Sequence, residues 1–309
     1  MGEAYGRARQ HSDERLQALR CALAAVVPKS AIAVTFGSYA RREASAESDI
    51  DYIVIANEGE SQELGYTEAV EKTIAGIVPI EPSPSGAFAK HVMRSDMLKN
   101  LGGENDTNHT LTRRLLLLLE GEWLVNPAEF KLLRREIIKI YVKATRRDHQ
   151  LALFLLNDII RYWRTMTVDY MYKTTEDQKP WAIRNIKLTF SRKLLYASGV
   201  FSVGMTANRS EEAKVDILEN LFDLPVIDRM IDICGASRAK RVLESYDLFL
   251  ENLEKSKVRE ELKVIKPGDH ENIIFRKLKN EGHHFTRSLM NLFEETFHST
   301  HPIRRAMMF

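Results

Sequence analysis

Two aspartates one residue apart, Asp49 and Asp51, open the apolar run Tyr52–Ala56 (YIVIA). On an extended strand, side chains at i and i+2 project to the same side, with roots about 7 Å apart. Carboxylates so placed repel each other, and a divalent cation beside them removes the repulsion. Mg²⁺ is typically held in this way, by a few carboxylates together with the phosphates of its substrate. Upstream, the apolar run Ala31–Phe36 (AIAVTF) ends in Gly37-Ser38. Glycine lets a phosphate approach the backbone closely, while a serine hydroxyl and neighbouring N–H groups donate to its oxygens. A carboxylate-held metal beside a phosphate-binding turn is the equipment of phosphoryl or nucleotidyl transfer. Asp-x-Asp alone is common on exposed strands, and Gly-Ser alone is an ordinary turn. The combination, between two apolar runs, carries the reading.

These residues need strands to hold them. Ala31–Phe36 and Tyr52–Ala56 are short, β-branched and bounded by turn-formers, so both read as buried strands. Glu14–Val27 has helical apolar spacing and ends before Pro28; Gln62–Ala75 reads as a second helix. Ile77–Glu81 (IVPIE) is a third strand candidate, with Pro79 arguing for an edge position. From about Thr110 the pattern turns to long helices: Thr110–Glu120, Pro127–Arg147, Gln150–Tyr172, Trp181–Ser198, Glu211–Leu221, Ser237–Leu262 and Gly282–His298. The fold class expected is α+β: a small mixed-sheet lobe, residues 1–115, followed by a larger all-α lobe, residues 116–309.

The segment Val34–Ile55 (VTFGSYARREASAESDIDYIVI) resembles the signature of the DNA polymerase beta nucleotidyltransferase superfamily. Its common form is Gly-Ser-x-Ala-Arg-Gly followed by Ser-Asp-Ile-Asp, and Gly37, Ser38, Ala40, Arg41, Ser48, Asp49, Ile50 and Asp51 match it. Arg42 stands where Gly is usual, which puts the local turn geometry in question. The resemblance implies that Asp49 and Asp51 hold Mg²⁺, with Mn²⁺ as its substitute, and that Gly37, Ser38 and Arg41 bind the triphosphate of an NTP, ATP by default. It also implies a third carboxylate on a neighbouring strand, which would complete the metal site and take the acceptor's proton. Glu81 is the choice, at the end of IVPIE, with Asp96 and Asp106 as alternatives.

In similar enzymes a cation from the helical lobe reaches the triphosphate. Trp181–Lys193 (WAIRNIKLTFSRK) contains Arg184, Lys187, Arg192 and Lys193 and no acid. Arg184 and Lys187 lie three apart and share a helix face. The Gly102-Gly103 turn before the leucine-rich helix reads as a capping loop, with Asn108 or Thr110 at the cap. A second basic strip, Arg134, Arg135, Lys139, Lys143, Arg146 and Arg147, is the only run that would suit tRNA or another polyanion. The aromatics Phe154, Tyr162, Trp163, Tyr170, Tyr172 and Tyr196 read as core.

Composition narrows the class further. At 309 residues, 44% hydrophobic and 28% charged, the chain can bury a sizeable core, and its net charge of +2 excludes a polybasic tail protein. Two cysteines, Cys21 and Cys234, make neither a disulfide framework nor a zinc quartet, and the histidines show no metal spacing. A cytoplasmic protein without membrane partners is expected, since the longest pure aliphatic run is Leu115–Leu119. The reaction expected is transfer of a nucleoside monophosphate to an acceptor hydroxyl with release of pyrophosphate. The acceptor, a protein, a tRNA or a small molecule, stays open. The alternative is a catalytically silent nucleotide-binding module of regulatory or antitoxin-like type.

Overall fold

Both faces of a four-stranded sheet are covered by helices, which is why its strands read as nearly continuous apolar runs. The computed structural model describes residues 2–57, 66–80, 91–143, 150–269 and 271–307. The strands are β1 (Ile32–Phe36), β2 (Asp51–Ala56), β3 (His91–Met93) and β4 (Glu122–Val125), in spatial order β3-β2-β1-β4. β1 pairs antiparallel with β2 and β4, and β2 pairs parallel with β3. The sheet is therefore mixed, as expected. Ile32, Val34, Phe36, Ile53 and Ile55 face a core shared with the C-terminal helices. Ala33, Tyr52 and Val54 point the other way, against Leu16, Leu19 and Leu23 of α1 (Glu3–Leu23) and Val70 and Ile74 of α3 (Thr67–Ile77).

Two strand expectations need correcting. Ile77 ends α3 and no strand follows among residues 78–80, where Pro79 interrupts the backbone pairing that the apolar residues invite. The third strand is β3, and a fourth, β4, lies between two helices. β4 comes from residues expected in the helical lobe, so the sheet draws on chain from both sides of residue 115. α1 also begins earlier than expected. Its first amides, Ala4 and Tyr5, donate to the Asp247 carboxylate at 3.4 and 2.8 Å, a cap supplied from the far end of the chain.

The remaining helices are α2 (Gly37–Ala40), α4 (Arg94–Leu98), α5 (Asn108–Leu119), α6 (Pro127–Lys143), α7 (Leu153–Thr175), α8 (Trp181–Lys187), α9 (Lys193–Gly204), α10 (Glu211–Phe222), α11 (Val226–Cys234), α12 (Ala236–Glu254), α13 (Ser256–Val264), α14 (Ile273–Thr296) and α15 (Pro302–Ala306). Thr107 caps α5, its hydroxyl accepting from the Thr110 amide, rather than Asn108 or Thr110. The expected helix Trp181–Ser198 is continuous but contains a π turn, Leu188–Arg192. Gly282 of α14 packs on that turn: a Cβ there would fall 2.5 Å from Thr189 Cγ2. The expected helix Ser237–Leu262 breaks at Lys255, which is extended, and α13 turns back over the sheet lobe. No helix among the described residues is long and apolar enough to cross a membrane.

Candidate active site

The β1–β2 register sets Phe36 opposite Asp51, so Gly37, one step further along β1, comes to rest beside the Asp51 side chain. Gly37 has φ +69°, and a Cβ on it would lie 2.9 Å from Asp51 Oδ2. Glycine is needed here on both counts. The Gly-Ser turn is the start of a single helical turn, α2, whose amides Ser38 and Tyr39 lie at its N-terminus. The Gly37 amide is already engaged, donating to Glu120 Oε1 at 3.0 Å. That leaves Ser38 as the donor of the pair facing the cleft.

The cleft has a volume of about 1540 Å³, above the roughly 300–1,000 Å³ usual for one small-molecule site. Its floor holds Gly37, Ser38, Asp49 and Asp51; its walls include Tyr162, Arg164 and Tyr172 of α7, Arg184 and Lys187 of α8, Arg192 of the π turn, and Arg259 of α13. Burial, Asp49 and Glu120 push the Asp51 carboxyl up to about 6, against the opposing pull of Arg192 and Lys187. Lys187 is pushed down to about 8, first by burial and then by Arg259, with Asp49 resisting. Burial also disfavours the charge of Arg184 and of Arg259. The protein alone relieves neither side: it disfavours the charged form of Asp51 and the charged form of Lys187. A bound cation on the acids and a polyanion on the bases would relieve both.

Residues 20–85 match the family model described as a nucleotidyltransferase domain. That segment is similar to a nucleotidyltransferase domain. No curated protein and no solved structure matches the chain.

From the matched segment and the helices that follow it, the structure brings together Gly37, Ser38, Asp49, Asp51, Arg184 and Lys187, all lining one cleft. Glu81 lies outside the described residues. Of its alternatives, Asp96 is exposed on α4. Asp106 is wholly committed elsewhere: Arg114 Nη2 lies 2.7 Å and Arg161 Nη1 3.2 Å from its Oδ2, and the Gly102 amide donates to it at 3.0 Å. Among the described residues no cluster of three acids, histidines or cysteines is placed to hold a metal.

Arg41 lines the cleft, and two glutamates hold its guanidinium. Its Nε donates to Glu43 Oε2 at 2.9 Å and its Nη1 pairs with Glu120 Oε2, all three side chains being buried. Burial works against its charge, yet the two glutamates outweigh burial and hold its proton well above the usual arginine value. Arg42 answers the question raised by its missing glycine. It takes the left-handed conformation itself, φ +63°, and is held there by Asp13 at 2.6 Å, Glu122 at 3.1 Å and the Ala40 carbonyl at 3.0 Å.

Part of the second basic strip turns inward. Arg134 is buried, donating to the Phe222 and Gly121 carbonyls and Asp223, and Arg135 pairs with Asp216 and Glu219, so both tie α6 to α10. Lys139 and Lys143 are exposed, and Arg146 and Arg147 lie outside the described residues.

Sequence reasoning missed Glu43, Glu120, Tyr246 and Arg259; of the aromatics it assigned to the core, Tyr162 is buried there and also borders the cleft, while Tyr170 and Tyr172 line the cleft and are not buried. Glu120 left a signal: an acid directly after five leucines is a charge carried into a core, where it must find a partner. Arg259 left none, because its position depends on the helix break at Lys255.

Proposed function

We propose that this protein is a Mg²⁺-dependent nucleotidyltransferase that moves a nucleoside monophosphate from an NTP, ATP by default, to an acceptor hydroxyl. The acceptor oxygen forms a bond to the α-phosphorus, the bond from that phosphorus to the α–β bridging oxygen breaks, and pyrophosphate leaves with the electron pair. Asp49 and Asp51 suit a hard divalent cation: they are oxygen donors at one end of the cleft, and burial and the neighbouring Asp49 make the ionised form of Asp51 unfavourable without a cation. Mn²⁺ would serve in its place. When bound, the metal neutralises phosphate charge and polarises the transferring group.

The chain's own groups do the positioning. Ser38, at the N-terminus of α2, donates to the β- and γ-phosphates. Arg184 and Lys187, joined by Arg192 and Arg259, neutralise the triphosphate and the departing pyrophosphate. Glu81 is the proposed third acid and takes the acceptor's proton; Ile80, directly before it, lines the cleft. The outer walls on α7 and α13 receive the acceptor, whether a protein, a tRNA or a small molecule.

The observation that carries this reading is the facing arrangement of Asp49 and Asp51 against Lys187 across a cleft that begins at the Gly-Ser turn. Incubating the purified protein with α-labelled NTPs, Mg²⁺ and a cell lysate tests it. A labelled species, with pyrophosphate released in equal amount, is expected, and its mass identifies the acceptor class. No label and no pyrophosphate from any of the four NTPs, with Mg²⁺ or Mn²⁺, would sink the reading in favour of a silent nucleotide-binding module.

A further inference from the structure

Four buried groups form an unbroken chain of hydrogen bonds from the helical lobe to the Gly-Ser turn. The Tyr246 hydroxyl, on α12, donates to Glu43 Oε1 at 2.5 Å. Glu43 Oε2 accepts from Arg41 Nε at 2.9 Å, Arg41 Nη1 donates to Glu120 Oε2, and Glu120 Oε1 accepts the Gly37 amide at 3.0 Å. Each glutamate therefore splits its two oxygens in the same way, one to the shared arginine and one to an end of the chain. The π turn packs against the same phenol's neighbours: Phe190 stacks on Phe249 and lies against Phe285, the two rings that flank Tyr246. Arg192, at the end of the π turn, lines the cleft.

We propose that Tyr246 is a positioning residue for the transfer, holding the Gly37 turn in register with the π turn through Glu43, Arg41 and Glu120. The proposal rests on the reading of the site given above. Its physical basis is the division of one guanidinium between two carboxylates. Without the phenol, Glu43 Oε1 is left buried and unsatisfied, and the cheapest repair is for Glu43 to draw Arg41 wholly to itself. Glu120, no longer held by the arginine, is free to shift, and its bond to the Gly37 amide becomes an unsteady anchor for the turn beside Asp51. A flexible polyanion still binds such a site through its cations. The reacting atoms, however, are no longer held in line, and misplacement of about 1 Å costs about a hundredfold in rate.

Tyr246→Phe removes the hydroxyl and keeps the ring, which packs 5.3 Å from Phe249 and 5.8 Å from Phe285 between centroids. The expected result has two parts. Turnover per folded molecule falls by about 10- to 100-fold, with KM for the NTP within about threefold of the parent. In the absence of nucleotide, the Gly37 amide exchanges its hydrogen at least about tenfold faster while amides in the middle of β1 keep their rates. Combining Tyr246→Phe with Glu120→Gln should reduce turnover no further than the worse single variant, because both cut one chain.

Several results would overturn the proposal: unchanged Gly37 exchange, a raised KM at unchanged kcat, or losses that multiply in the double variant. If Tyr246→Phe fails to fold, Glu43→Gln cuts the same chain at its middle and must accelerate the same amide. If the parent turns over no NTP at all, the proposed function fails while the exchange measurement still judges the coupling: faster Gly37 exchange sustains it, and unchanged exchange rejects it.

Discussion

Glu120 and Asp51 are acids on either side of Gly37, and they titrate in opposite directions. Burial raises both. For Glu120, Arg41, Arg192 and the Gly37 amide outweigh burial, and its carboxyl sits below the usual glutamate range. For Asp51, burial and Asp49, joined by Glu120, outweigh the pull of Arg192 and Lys187, so it is pushed up to about 6. The protein has supplied every partner that one acid needs and withheld them from the other. A carboxylate satisfied by its own fold serves the structure; one left unsatisfied at the floor of a cleft is waiting for something from solution.

The largest effect should come from the unsatisfied acids. Asp49→Asn or Asp51→Asn should fold and lose Mg²⁺-dependent turnover by about a thousandfold or more, equivalent to several kcal/mol. Retention of activity in both would remove the contrast altogether. Glu120→Gln should do the converse. Arg41 keeps Glu43 but loses a buried ionic partner, so unfolding free energy should fall by about 1–3 kcal/mol in a denaturant titration. A Glu120→Gln protein as stable as the parent would show that the acid is not satisfied in the way its contacts indicate.

Acid titration of the metal-free protein sharpens the same contrast. Asp51 has a folded pKa above its ordinary 3.8, so the folded state holds a proton that the unfolded chain has released between about 4 and 6. Stability measured against Asp51→Asn should therefore fall as pH rises through that window. Glu120 has a folded pKa below its ordinary 4.5, so its contribution is present above that value and lost as pH falls further. Measured against Glu120→Gln, the parent should weaken on acidification. Saturating Mg²⁺ should flatten the Asp51 slope and leave the Glu120 slope in place. Parallel slopes would contradict the assignment.

The two acids also mark what the sequence could and could not convey. Asp49 and Asp51 were legible because strand alternation, the Gly-Ser turn and the spacing between them are local, and the mixed sheet with a helical lobe followed from the same local periodicities. Glu120 became meaningful only once the register of β1 and β2 and the packing of α5 placed it at the Gly37 amide. Arg41 was expected on the triphosphate, and its ties to Glu43 and Glu120 came into view only with the fold. β4 was invisible because four residues between two strong helical patterns carry no period of their own. Tyr246 and Arg259 depend on how α12 breaks and where α13 turns back, which is decided by contacts with chain some two hundred residues away.

A smaller effect is expected on the cationic wall. Lys187→Ala removes a charge that burial and Arg259 already disfavour, so melting temperature without nucleotide should be equal or higher. Adding NTP and Mg²⁺ should then raise it by less than in the parent. Because the parent lysine titrates near 8, its NTP affinity should decline as pH rises from 7 to 9 while the alanine variant's changes little. Arg184→Ala should share the reduced nucleotide shift. If both variants show the parent's full shift, the triphosphate lies elsewhere in the cleft, with Arg192 and Arg259 the next cations to replace.

The smallest effect, at Arg42, separates backbone from side chain. The residue holds φ +63° where the signature it resembles has glycine, and a non-glycine residue in the left-handed region costs about 1–2 kcal/mol. Asp13, Glu122 and the Ala40 carbonyl offset that cost through the guanidinium. Arg42→Ala loses the offset and keeps the strain. Arg42→Gly loses the offset and the strain together, although glycine has more freedom to give up on folding. Glycine should therefore be the more stable of the two by about 1 kcal/mol, with the parent at or above it. Ordinary positions show the reverse order, alanine above glycine. Finding that reverse order here would mean that the turn is not left-handed in solution, and that Arg42 replaces the glycine by changing the turn rather than by bracing it.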